Sequence, residues 1–307
     1  MDDLIADYPV IGKRSPEEQA RILRDLGDDE TADALMASRP ATETKSIFGG
    51  GMGLPWSPKP WGHTSHSFGF LPQAGTADPP LLPLYHAGQI KPDLSLRGAG
   101  VTIRLDSLRL ADYPGSGVHR VLFDFSAVNT IGPSQAEHLH YNATFRAREG
   151  EEAAVVGLPI FVDLNVGDLG LAFKCATVNV ANEGSQRALD MLDSDLVKSG
   201  LQLAKTAQPA IGPLSQIAIG LTKAILGVNK NVPVQEFTLG LDFDPVATGA
   251  RLREGAYFAV QVPSLAGWDW SQWLWHPSRG CLISKADPKA LCPWNYIIFR
   301  VSRNPAK

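Results

Sequence analysis

Val118-His119-Arg120-Val121-Leu122-Phe123-Asp124-Phe125 is rich in β-branched and aromatic residues, which favour an extended backbone, so it reads as a β-strand. A second run, His138-Leu139-His140-Tyr141-Asn142-Ala143-Thr144-Phe145, alternates strictly. Strand geometry turns Leu139, Tyr141, Ala143 and Phe145 to one side and leaves His138, His140, Asn142 and Thr144 on the other. The same pattern continues outward. Val101–Leu105 precedes these runs, with a Pro114-Gly115 turn between, and the polar turn Arg148-Glu149-Gly150-Glu151 follows them. Ile160–Leu164 and Leu171–Val180 come next, separated at Gly167-Asp168, and Val234–Asp242, Tyr257–Val262 and Trp294–Ser302 complete the set. Short strands with turn chemistry at this spacing predict a mainly β chain, an antiparallel β-sandwich of about eight strands.

The strand pattern stops near Glu183 and resumes near Val234. Between them Leu189, Leu192, Leu196, Leu203 and Ala207 recur at helical spacing, and beyond Pro209 and Pro213 so do Leu214, Ile217, Leu221, Ala224 and Ile225. We expect a helical insertion over about 187–228. Its second part, Pro209–Val228, carries one charge, Lys223, and is just long enough to span a bilayer. A buried helix packed on the sandwich is the alternative. At the other end, Ser15-Pro16-Glu17-Glu18 supplies an N-cap hydroxyl, a proline at the first helical position and a carboxylate for a capping box. With Gly27 as a stop and a second apolar run to Ser38, this predicts a short helical hairpin that must dock on something. The expected partition is a hairpin segment over 1–41, a Pro/Gly-rich extended arm over 42–98, and a sandwich over 99–307 with its insertion at 187–228.

Eight strands with polar end loops, over roughly residues 100–302, resemble a C2-type β-sandwich in architecture. The resemblance implies acidic loop tips that bind calcium and dock on phospholipid. Asp242-Phe243-Asp244, just before Pro245, is similar to such an acidic loop pair, and Asp163, Asp168 and Asp112 are further carboxylates. Calcium is the cofactor that this resemblance implies, while the residues themselves name none.

Charge and motifs exclude several classes. Among 307 residues, 28 Lys and Arg stand against 32 Asp and Glu, for a net charge of −4, so the basic footprint of a nucleic-acid binder is missing. Gly132-Pro133-Ser134-Gln135-Ala136 lacks the final glycine of a nucleophile elbow, and Gly12-Lys13 lacks the upstream glycine of a P-loop. The glycines at 49–53 precede Pro55 rather than joining a strand to a helix. Cys175, Cys281 and Cys292 have neither zinc-knuckle nor CxxC spacing and read as buried thiols. The acidic start Met1-Asp2-Asp3-Leu4 is unlike a secretory signal and predicts a cytoplasmic protein.

Two local patterns could carry function. His138 and His140 share one strand face, so both imidazoles could reach one metal ion, and with Gly132 upstream they look like the first half of a cupin motif. Trp268-Asp269-Trp270-Ser271-Gln272-Trp273-Leu274-Trp275-His276 holds four of the seven tryptophans. Exposed, they suit a protein partner, a sugar or a membrane interface; packed inward, they cap the end of the core. A simple strand cannot put Trp268 and Trp270 on the same face as Trp273 and Trp275, so a bend is needed. With no nucleophile–base set visible, the leading expectation is a non-enzymatic binding or scaffolding module, acting on a protein partner through the tryptophans and the arm. A membrane-associated or latent pore-forming protein using the apolar insertion is the second. A metal-dependent enzyme with His138 and His140 as ligands is the third.

Overall fold

The computed structural model describes residues 8–38, 59–73, 80–132, 135–153, 155, 157–181, 201–202, 211–228, 230–244 and 249–304. The chain opens with helices α1 (Pro16–Asp25) and α2 (Asp29–Ala37). Strands β1 (Ser65–Pro72), β2 (Leu82–Pro83), β3 (Tyr85–His86) and β4 (Gly100–Leu110) follow. Then come β5 (Val118–Gly132), β6 (Gln135–Arg148), β7 (Glu151–Glu152), β8 (Leu158–Asn165), β9 (Gly170–Asn179) and β10 (Leu201–Gln202). Helix α3 (Ile211–Leu226) leads into β11 (Val232–Asp242), β12 (Ala250–Arg251) and β13 (Gly255–Val262). The last elements are β14 (Trp273–His276), β15 (Cys281–Ser284) and β16 (Tyr296–Arg303).

Two large sheets make the sandwich. One runs β10-β8-β4-β16-β13-β1-β3, with β7 added to β4; the other runs β12-β11-β9-β5-β6. Nearly all pairings are antiparallel, the exceptions being the short edges β10 on β8 and β12 on β11. Their inner faces supply alternate residues: Ile103 and Leu105 from β4, Phe299 and Val301 from β16, Val121, Phe123 and Phe125 from β5, Phe173 and Cys175 from β9. Phe125 sits 6.0 Å from Phe299 and 5.3 Å from Phe173, while Tyr257 stacks on Phe299 at 5.5 Å. The fold is thus the mainly β sandwich with added helices that alternation predicts. Leu139, Tyr141 and Ala143 lie in this core as their spacing requires.

The helical hairpin forms where its caps place it. Ser15 Oγ accepts from the Glu18 amide, the Glu18 carboxylate accepts from the Ser15 amide, and Gly27 takes φ +77°. Ala20, Leu23 and Ala32 bury into the sandwich core, which supplies the docking surface that such short helices require.

One expectation needs correction. The segment 42–98, read as an extended arm, contributes β1 to the large sheet, beside its edge strand β3 and paired along its whole length with β13. The reason lies in its own alternation. Phe68 and Phe70 turn to the sandwich core, with the His66 ring 5.0 Å from Phe237, while Leu71 faces the opposite side. Residues 42–58 and 74–79 of that segment lie outside the described residues. The insertion read as helical over 187–228 includes a two-residue strand, β10, before α3. Leu189, Leu192, Leu196, Leu203 and Ala207 lie outside the described residues.

Each large sheet also has a covered outer face. On the five-stranded sheet, Leu122, Ala176 and Val178 pack against Leu221, Ile225 and Leu226 of α3. On the larger sheet, a small third sheet of β15, β14 and β2 closes a second apolar core over Phe258, Val260, Tyr296 and Ile298.

Candidate functional site: an aromatic cleft

The tryptophan run builds the wall of that second core. Asp269 caps a single 3-10 turn, Trp270–Gln272, by accepting from the Ser271 amide at 2.9 Å. This turn is the bend that alternation demanded, and it brings all four rings to one side of the sheet. Trp270 is buried, its Nε1 donating to Ser67 Oγ at 2.9 Å. Trp268 stacks on Trp273 at 5.1 Å and 8°, and meets the Trp270 edge at 5.3 Å. Trp275 packs edge-on against Phe258 at 5.4 Å. Trp268, Trp273 and Trp275 are only partly buried. The cluster therefore both covers the outer face of the larger sheet and leaves aromatic surface to solvent.

The short strand β3 pairs with β1 at Gly69 and Phe70 and so runs beside this wall. Between them lies a cleft of about 460 Å³, with Tyr85, His86 and Gln89 on one side and Trp268, Asp269 and Ser271 on the other. Tyr85 is 48% exposed. His86 Nδ1 accepts from the Gly88 amide at 3.0 Å, so a neutral ring presents its Nε2–H as a donor. Asp269 also accepts from Ser271 Oγ at 2.8 Å and from Gln272 Nε2 at 3.3 Å. The Ser271 hydrogen bonds hold its carboxyl below the usual range and keep it charged. Among the described residues, no lysine or arginine lines the cleft. Tyr85, His86 and Gln89 escaped sequence reasoning, because nothing local tells that β3 returns to the tryptophan wall.

The other candidates are arranged differently. His138 is exposed and His140 buried on the same face of β6, and the His140 amide donates to Ser215 Oγ of α3 at 3.3 Å. Asp242 ends β11 opposite Gly170, and the Phe243 amide donates to the Leu169 carbonyl, so the Asp242–Asp244 loop adjoins the turn carrying Asp168. Arg251 reaches the Asp244 carbonyl and stands beside the Asp242 carboxylate. Asp163 accepts from Asn304 at 3.0 Å, and Asp112 pairs with Lys59 at 2.8 Å. Among the described residues, no three His, Cys, Asp or Glu side chains converge as a metal site would require. No described helix is long and apolar enough to cross a membrane.

One polar site had no sequence signal. Asp124, on the outer face of β5, lies under α3 and accepts from Thr222 Oγ1 at 2.6 Å and from Asn142 Nδ2 at 3.2 Å. Burial pushes its carboxyl up to about 6, against the pull of the Thr222 hydrogen bond and the Lys174 charge. This group is sealed beneath a helix, whereas the aromatic cleft is open to a ligand. Compared with known proteins, the chain matches no family model, no curated protein and no solved structure.

Proposed function

We propose that this chain is a non-enzymatic binding module whose contact surface is the cleft between Tyr85–Gln89 and Trp268–Ser271. One observation carries the reading. Two segments distant in sequence converge so that rigidly packed aromatic rings and a fixed carboxylate border one concave, solvent-open site. Concave sites with apolar walls and a few placed polar groups are where small ligands bind. The tryptophan stack is ordered before any ligand arrives, which lowers the entropic cost of binding.

Labelling the protein with 5-fluorotryptophan and titrating a chemically diverse fragment set by fluorine NMR tests this. We expect the Trp268 and Trp273 resonances to move, while Trp61, buried in the sandwich core, stays fixed. Trp268→Ala should weaken the fragments about tenfold or more, as loss of a central aromatic contact does. A diverse set that leaves both resonances in place refutes the proposal.

A further inference from the structure

We infer that the ligand class of this cleft is a neutral oligosaccharide, a reading that rests on the cleft being the binding site. The argument is one of matching chemistry. A pyranose ring presents a C–H face and a rim of hydroxyl groups. The C–H face needs apolar aromatic surface, and the partly exposed Trp268 brings some to the cleft wall. Its ring is held by parallel stacking on Trp273 and by a T-shaped contact with Trp270, and Trp270 is anchored to Ser67. Tyr85, on the facing side, is an exposed ring that belongs to neither of the two cores next to it.

Hydroxyl groups both donate and accept, so they need donors and acceptors side by side. Asp269 supplies a charged acceptor and His86 a donor, while Gln89 can do either. Asp269 is fixed in orientation by Ser271 and Gln272, so the acceptor is set in place before the ligand arrives.

Other ligand chemistries fit less well. A phosphate or carboxylate would meet the Asp269 charge, and Lys285, whose charge acts on that carboxylate, does not line the cleft. An ammonium cation accepts no hydrogen bond, which leaves the His86 donor without an acceptor. A purely apolar ligand would strip water from Asp269 and return no hydrogen bond, which is costly. A volume of about 460 Å³ lies within the range of about 300–1,000 Å³ usual for small-ligand sites.

The test uses the full chain and five neutral hexasaccharides: β-1,4-glucose, β-1,3-glucose, β-1,4-xylose, β-1,4-N-acetylglucosamine and α-1,4-glucose. Choline and inorganic phosphate are the contrasting arms, and tryptophan fluorescence with saturation-transfer NMR reads binding. We expect at least one hexasaccharide to bind saturably, with Trp268→Ala weakening it about tenfold or more. Asp269→Asn should weaken it severalfold with the melting temperature little changed. Tyr85→Ala, which removes an exposed ring, tests the same surface should Trp268→Ala fail to fold. If fragments bind in the cleft but no hexasaccharide does, the saccharide inference falls while the binding-site proposal stands. Binding of choline or phosphate in the cleft in place of sugars also overturns it, as does a hexasaccharide that binds the Trp268 and Tyr85 variants as tightly as the parent. If neither fragments nor sugars bind, both readings fall.

Discussion

Asp124 brings a carboxylate into a strand otherwise built of Val121, Leu122, Phe123 and Phe125, and alternation turns it away from the sandwich core. That side would normally be wet, but α3 covers it, and the carboxyl rises to about 6. Its folded value lies above its unfolded one, so the native state favours the protonated form. The stability it contributes is complete below about pH 4 and is lost as pH rises through about 6. At neutral pH the penalty is about 2–3 kcal/mol by linkage. Asp124→Asn keeps an oxygen for Thr222 and Asn142 but no charge. It should raise the melting temperature by several degrees at pH 8 and leave it unchanged near pH 4, as thermal melts at the two pH values will show. An equal melting temperature at pH 8 would mean that Lys174 already neutralises the buried charge.

Strand β1 serves two cores at once and shows why one element needs a particular small residue. His66, Phe68 and Phe70 point into the sandwich, and Ser67, Gly69 and Leu71 point to the second core. A Cβ at Gly69 would come within 2.5–2.7 Å of the Trp270 ring, far inside contact distance. Gly69→Ala must therefore displace Trp270 from its seat on β1. Overpacking of this kind costs about 1–3 kcal/mol, to be read by chemical denaturation. Because Trp270 supports Trp268, the same variant should also weaken any ligand of the cleft. Unchanged stability together with unchanged tryptophan fluorescence would show that the wall can shift without loss.

At the scale of the molecule, three apolar cores are stacked through two shared sheets, so the segment ahead of residue 99 is structural. Starting the chain at residue 99 removes β1 and β3 from one edge of the large sheet and the hairpin's contribution to its core. It also strips the strand on which Trp270 rests. Such a fragment should lack near-UV circular dichroism and a cooperative melt. A chain starting at residue 59 keeps β1 and loses Ile11, Ala20, Leu23 and Ala32 from the core, so it should still melt cooperatively, at a lower temperature. Cooperative melting of the shorter fragment would restore a domain boundary near residue 99.

Local pattern alone was enough to place the strands flanking Phe125 and Tyr141, the inward side of β6, the capping box at Ser15 and the bend within Trp268–Trp275. These depend on periodicity, capping and turn chemistry, which act over a few neighbouring residues. Periodicity also says which residues share a face, but never what lies on that face. His140 and Asn142 read as an outer polar row, and only the packing of α3 buried them. Tyr85 and Trp268 border one cleft only because β1 pairs with β3 along an edge and carries Trp270 on a face. Hydrophobic burial is non-directional, and strand pairing joins residues however distant, so such meetings are settled when the whole chain closes on itself.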